Sequence, residues 1–173
     1  MAGLSLALLS PCIVCAATPP LRQSTPPMST IILDKNGKPF SLDVFRGMPI
    51  LINFWATWCP PCIAELPALD RASEKLADQV KILLISVDRG GRKKALPFLQ
   101  DRGINHPHFA FDPKGTLSRE MGVRGLPTSF LVTADQLHCW VYQGPREWDD
   151  AAMIIELRRL LENQSILNTP SSV

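Results

Sequence analysis

Eight nearly continuous apolar residues, PILINFWA (Pro49–Ala56), run directly into TWCPPCIAELP (Thr57–Pro67). No other stretch constrains the fold as much. β-branched and aromatic residues without polar alternation suit a strand covered on both faces. Pro60 and Pro61 fit the first turn of a helix, where no backbone donor is needed. A helix is therefore predicted over residues 60–78. Ile63, Leu66, Leu69, Leu76 and Ala77 form its apolar stripe, and Pro67 should kink it. A buried strand feeding a helix opens an α/β domain.

The alternation continues downstream. VKILLISVD (Val80–Asp88) reads as a second buried strand, and ALPFLQDRG as a helix ending at Gly103. HFAFD is a short strand, Asp112–Gly115 a turn, and LSREMG a short helix. TSFLVTA and LHCWVYQ are adjacent strands joined at Asp135-Gln136. Residues 147–163 form an amphipathic helix with Ile154, Leu157 and Leu161 inward. Upstream, Asn36-Gly37 lies between two short extended runs, which signals a hairpin.

The chain has 173 residues, 46% hydrophobic and 20% charged, with a formal net charge of +2. That suffices for one domain with a sizeable core and gives no reason to expect nucleic acid as a partner. No charged side chain precedes Arg22. Residues 1–17 read as a signal peptide or N-terminal anchor, with small residues near Ala16 and Ala17 for cleavage. Residues 18–30 read as a Pro/Ser/Thr-rich linker, 31–163 as the domain and 164–173 as a tail. An exported, possibly membrane-anchored protein is expected. The CIVC spacing of Cys12 and Cys15 is read as coincidental. Beyond that segment stand Cys59, Cys62 and Cys139, one close pair and one leftover, which is no disulfide framework.

The pair carries the chemistry. A thiolate, not a thiol, attacks a disulfide, so something must lower one sulfur's pKa. Cys59 directly precedes the predicted helix, where unpaired N–H groups and the positive dipole end favour S⁻. Cys62 falls one turn on and points back over the same end. The spacing gives an exposed nucleophile, Cys59, and a shielded resolving thiol, Cys62. Glu65, three residues later, shares that face. Partly buried, it would have a raised pKa and could take the Cys62 proton. It could equally be a first-turn acid complementing the helix dipole. Pro127, taken alone, reads as a trans proline at a strand start.

FWATWCPPC, Pro67 and the later LPT together resemble the thioredoxin superfamily. The N-terminal hairpin, Glu65 and FDPKGTLSREMGVRGLPTSFLV make the chain most similar to its TlpA-like thiol–disulfide oxidoreductases, including those serving cytochrome c maturation. The resemblance spans about residues 30–162. It implies a thioredoxin fold: a central mixed β-sheet flanked by helices, with an inserted αβ unit near residues 92–111. It implies a cis Leu126–Pro127 peptide against the cysteine pair, with the Leu126 backbone free to pair with substrate. Asn53 stands where thioredoxins proper carry a buried aspartate, so this position cannot titrate. TADQLH lacks the glycine common at that hairpin.

The expected activity is protein-disulfide exchange outside the cytoplasm, reducing substrates such as apocytochrome c cysteines. A membrane-embedded thiol reductase would supply the electrons. A monomer is expected, with no cofactor beyond the Cys59–Cys62 disulfide and no metal. The alternatives are a general oxidase or reductase of secreted proteins, or a binding module with a structural disulfide. Trp58 is expected as an exposed rim contacting substrate, Trp55 as core, and Trp148 as opening the last helix. Cys139 reads as a buried apolar thiol. Arg89–Lys94 reads as a solvated basic loop, and His106 and His108 as structural loop residues rather than metal ligands.

Overall fold

The computed structural model describes residues 20–24 and 26–167. The reading of residues 1–17 lies outside them. The elements in chain order are β1 (Leu21–Gln23), β2 (Ile32–Asp34), β3 (Pro39–Phe40), a 3₁₀ turn (Leu42–Phe45), β4 (Ile50–Trp55), α1 (Pro60–Lys75), β5 (Lys81–Ser86), α2 (Arg92–Gln100), β6 (His108–Phe111), α3 (Thr116–Glu120), β7 (Thr128–Val132), β8 (Cys139–Gln143) and α4 (Ala151–Leu167). The strands form one mixed sheet in the order β1-β8-β7-β4-β5-β6-β2-β3. β4 runs parallel to β5, and β5 to β6. β7 runs antiparallel to β4. The unit α2–β6 is the insertion, and the β2–β3 hairpin lies beyond it at the sheet edge.

All six residues of β4 are buried, as a strand between two layers requires. Its side chains alternate between two cores. Leu51 and Trp55 join Leu66 and Leu69 of α1 in one. Ile50, Ile52 and Phe54 join Leu117 and Met121 in the other. Each fully buried leucine contributes about 1.5–3 kcal/mol. Asn53, between Leu51 and Trp55 in the strand's alternation, is carried toward α1. That single polar position in an apolar row prepares the site described below.

Several boundaries differ from the sequence reading. Leu21–Gln23, assigned to a linker, forms an edge strand antiparallel to β8, and Met28 is buried in the second core. A polar three-residue strand after two prolines carries no periodicity to read. SLDVF is not extended but makes the 3₁₀ turn. The hairpin turn itself forms at Asn36-Gly37, with Gly37 at φ 81° and the Asp34 carboxylate accepting N–H groups of Asn36 and Lys38. α1 runs unbroken past Pro67, and its buried face is Cys62, Glu65, Leu66, Leu69, Ala72, Ser73 and Leu76. Ile63 is only half-buried and Ala77 is exposed. α2 begins at Arg92, so part of the supposed basic loop is helix. α4 begins four residues later than expected and continues to Leu167, past the expected domain end. Trp148 therefore precedes the last helix rather than opening it. At the β7–β8 turn Gln136 takes φ 62°, filling the left-handed position without a glycine.

Candidate active site

Cys59 is the N-cap of α1. The first helical positions are Pro60 and Pro61, which have no N–H. The first donor available at this helix end is the Cys62 N–H, and it points at Cys59 Sγ, 3.4 Å away. The two prolines thus focus the helix terminus on one sulfur. Cys59 and Cys62 are joined as a disulfide, with Cα atoms 5.3 Å apart. Cys62 is fully buried, whereas Cys59 keeps 4% of its surface. The expected exposed nucleophile is therefore corrected: Cys59 lies at the floor of a groove, because the turn folds Trp58 and the Leu126 loop around it.

That groove encloses about 490 Å³ and includes Trp58, Pro61, Val87, Arg124 and Leu126 in its walls. Trp58 is 62% exposed and forms a rim. The Leu126–Pro127 peptide is cis. Leu126 faces the groove, while Pro127 is buried and lines a neighbouring groove. The Leu126 main chain makes no hydrogen bond among the described residues. Its N–H and C=O are thus available beside Cys59.

Glu65 lies one turn beyond Cys62 on the buried face of α1, with 4% exposure. Oε1 accepts from Asn53 Nδ2 at 2.7 Å. Oε2 accepts from the Arg146 N–H and from Trp148 Nε1, each at 3.0 Å. Burial pushes its pKa up to about 7, overriding these donors, which favour the charged form. Glu65 is thus no exposed first-turn acid. Glu65 also lines a second groove, whose walls include Pro61, Pro145, Arg146, Asp150, Met153 and Glu156.

A second buried carboxylate supports the turn. Asp88 Oδ2 accepts from the Thr57 N–H at 2.8 Å and from Ser86 Oγ at 3.0 Å. Asp88 Oδ1 accepts from Thr57 Oγ1 at 2.7 Å and pairs with Lys94 Nζ at 3.0 Å. Burial alone would raise its pKa, but the Thr57, Lys94 and Ser86 donors outweigh that and hold it below the usual carboxylate range. Sequence reasoning missed Asp88 and left Lys94 in solvent. The signal available was an acid ending a buried strand, with a lysine one turn into the next helix.

The structure brings Trp58, Cys59 and Leu126 together, with Cys62 and Glu65 behind them. Trp148 was missed as a site residue; its ring is buried edge-on to Tyr142 and its N–H serves Glu65. Trp55 and Cys139 are core. Burial pushes the Cys139 thiol up to about 12, which makes it inert. His106 is held by Asp70, whose carboxylate also accepts the N–H groups of Asn105 and His106. That hydrogen bond raises the His106 pKa above the usual imidazole range.

A cysteine pair at a helix N-terminus, on a mixed sheet with a cis-proline loop opposite, defines a thiol–disulfide oxidoreductase of thioredoxin fold. The Redoxin family profile matches residues 20–154, and the chain belongs to that family, in the TlpA-like part of the thioredoxin superfamily. It is 34% identical over 134 residues to the thiol:disulfide interchange protein DsbE of Vibrio cholerae, covering 75% of this chain and 70% of that one. It is 32% identical over 106 residues to the thiol-disulfide oxidoreductase ResA of Bacillus thuringiensis, covering 61% and 60%. A Chlorobium tepidum protein assigned to DsbE superposes with a TM-score of 0.68 at 28% identity, covering 80% of this chain and 95% of that one.

Proposed function

We propose that the protein reduces disulfides of other proteins outside the cytoplasm, with the cysteine pair of an apocytochrome c as leading substrate. The observation that carries this reading is the pairing of a helix-capping Cys59 with a buried Glu65 behind Cys62. In the reduced protein, Cys59 Sγ⁻ attacks a substrate disulfide bond. One substrate sulfur leaves as thiolate and a mixed disulfide forms. Cys62 gives its proton to Glu65, attacks Cys59 Sγ, and releases the second substrate sulfur. Two electrons pass to substrate, and the protein is left with the Cys59–Cys62 disulfide.

Substrate lies in the groove between Trp58 and Leu126, pairing with the Leu126 main chain while Pro127 fixes the loop. In an oxidising compartment this direction needs electrons from elsewhere. A membrane-embedded thiol reductase is the expected donor, to a monomeric protein exported or held at the membrane by its N-terminus. No cofactor beyond the cysteine pair takes part.

The test is the reduction potential of the pair, followed by trapping with Cys62→Ser. A potential well below that of a general oxidant, with apocytochrome c captured on Cys59, supports the reading. A high potential makes the protein an oxidase of secreted proteins. Failure of Cys62→Ser to capture any disulfide substrate overturns the assignment of attacking and resolving thiols.

A further inference from the structure

Glu65 can carry an acid proton on only one oxygen. A carboxyl oxygen has two lone pairs. Both of those on Oε2 are taken, by the Arg146 N–H and the Trp148 indole. The proton must therefore sit on Oε1. There Asn53 Nδ2, at 2.7 Å, also presents a hydrogen. The proton can take the second lone pair of Oε1, but the hydroxyl oxygen it makes is a poor acceptor and a strong donor, so an acceptor suits it better than the Asn53 N–H does.

Asn53 carries one. Its Oδ1 is buried and has no hydrogen-bond partner, while its Nδ2 serves both Glu65 and Ser129 Oγ, the latter at 2.9 Å. A half-turn of the amide exchanges N and O. Oδ1 then accepts from Glu65 Oε1–H and from the Ser129 hydroxyl, which can donate or accept. Nδ2 moves into the unpartnered position. One buried polar atom stays unpaired in either orientation, the oxygen before the turn and the NH₂ after it, so the acid's demand for an acceptor must outweigh the difference.

We infer that Asn53 is a positioning residue whose side-chain amide turns over when Glu65 takes up a proton, with Ser129 reversing its hydroxyl in step. The amide donates to the carboxylate that waits for the Cys62 proton and accepts from the acid that has received it. An aspartate would set two carboxyls against each other, and a leucine would support neither form. Ser129 faces Asn53 across the β4–β7 ladder, two residues from Pro127, so the change is felt at the base of the Leu126 loop. The groups that surround Glu65 are Cys62 on α1, Asn53 on β4, Arg146, whose charge favours the carboxylate, and Glu147, Asp150 and Glu156 along its groove.

This inference rests on the proton role given to Glu65 above. The test is nuclear magnetic resonance on the intact protein, following the Glu65 carboxyl carbon and the Asn53 NH₂ group from about pH 5 to about pH 9. The expected result is that the NH₂ protons lose their contact to the Ser129 β-protons as pH falls, with the midpoint of the Glu65 carboxyl. In Glu65→Gln that pH dependence should vanish. Persistence of the NH₂–Ser129 contact on both sides of the Glu65 midpoint overturns the switch while leaving the proton role intact. A Glu65 carboxyl that does not titrate in this range rejects the proton role itself, and the switch with it. Asn53→Leu gives a second reading. A fixed donor would favour only the carboxylate, so its loss should raise the Glu65 proton affinity about tenfold or more. A switching amide supports both forms, and the affinity should then change by less than about threefold.

Discussion

Two buried carboxylates flank the cysteine turn, and they differ in what surrounds them more than in how many donors they have. Asp88 accepts from Thr57 twice and from Ser86, and it is paired with the Lys94 ammonium. Glu65 accepts from three neutral N–H groups, and the Arg146 charge favours its carboxylate less than they do. Burial outweighs the donors at Glu65, whereas the Thr57, Lys94 and Ser86 donors together outweigh burial at Asp88. Asp88 stays ionised and pins the turn before Cys59, whereas Glu65 is poised near pH 7 behind Cys62. Within one small site the same functional group is held ionised at one position and placed to titrate near neutrality at the other.

The comparison breaks most visibly at Asp88. Asp88→Ala leaves the Thr57 N–H and the Ser86 hydroxyl without their acceptor, and each buried donor left unsatisfied costs about 1–3 kcal/mol. Urea unfolding should show that loss at neutral pH. A loss under ~1 kcal/mol would mean that the turn does not depend on Asp88.

The second effect is the opposed pH dependence of the two acids. Glu65 has a folded-state pKa above its unfolded value, so between about 4.5 and about 7 the folded chain holds the proton more tightly. Stability from this group is full below that window and is lost as pH rises through it, by roughly 3 kcal/mol. Asp88 has a lowered pKa, so its contribution is present above 3.8 and lost as pH falls. Glu65→Gln should remove the first slope and keep the second. Unfolding at about pH 5 and about pH 8 measures it; an unchanged slope rejects the poised acid.

A smaller effect sharpens the contrast. Trp148→Phe keeps the ring and deletes one donor to the carboxylate, at a cost near 1.5 kcal/mol to the charged form. The Glu65 midpoint should rise by about one pH unit. No shift would mean that the indole packs without tuning. Smallest is Lys94→Met. The Lys94 side chain is 53% exposed, so its pairing is worth at most about 1 kcal/mol, read as a slight fall in the urea midpoint.

What the sequence made legible follows from how local each feature is. The strand–turn–helix around Cys59 is written in consecutive residues, since prolines and an apolar run determine it without distant help. The cis peptide before Pro127 was reached only through resemblance, because the residues alone favour trans. Glu65 was placed correctly beside Cys62, but its donors come from Arg146 and Trp148, more than 80 positions away. No spacing rule reaches that far. Asn53 was read as a residue that drops out of proton handling because an amide cannot titrate, whereas in the structure it is the partner of the group that does. A sharper reading was available: Glu65 stands at a position of α1 flanked by Cys62, Leu66 and Leu69, and an acid in such a stripe needs buried donors.

The two grooves share Pro61 and no other residue of their walls. In the reaction proposed above, substrate meets the sulfur between Trp58 and Leu126, and the Glu65 proton has a separate way out beside Pro145 and Glu156. On that reading a docked substrate that covers the sulfur would not stopper the acid. Charge balance can be restored while the partner is still covalently attached, so resolving the mixed disulfide need not wait for the partner to let go.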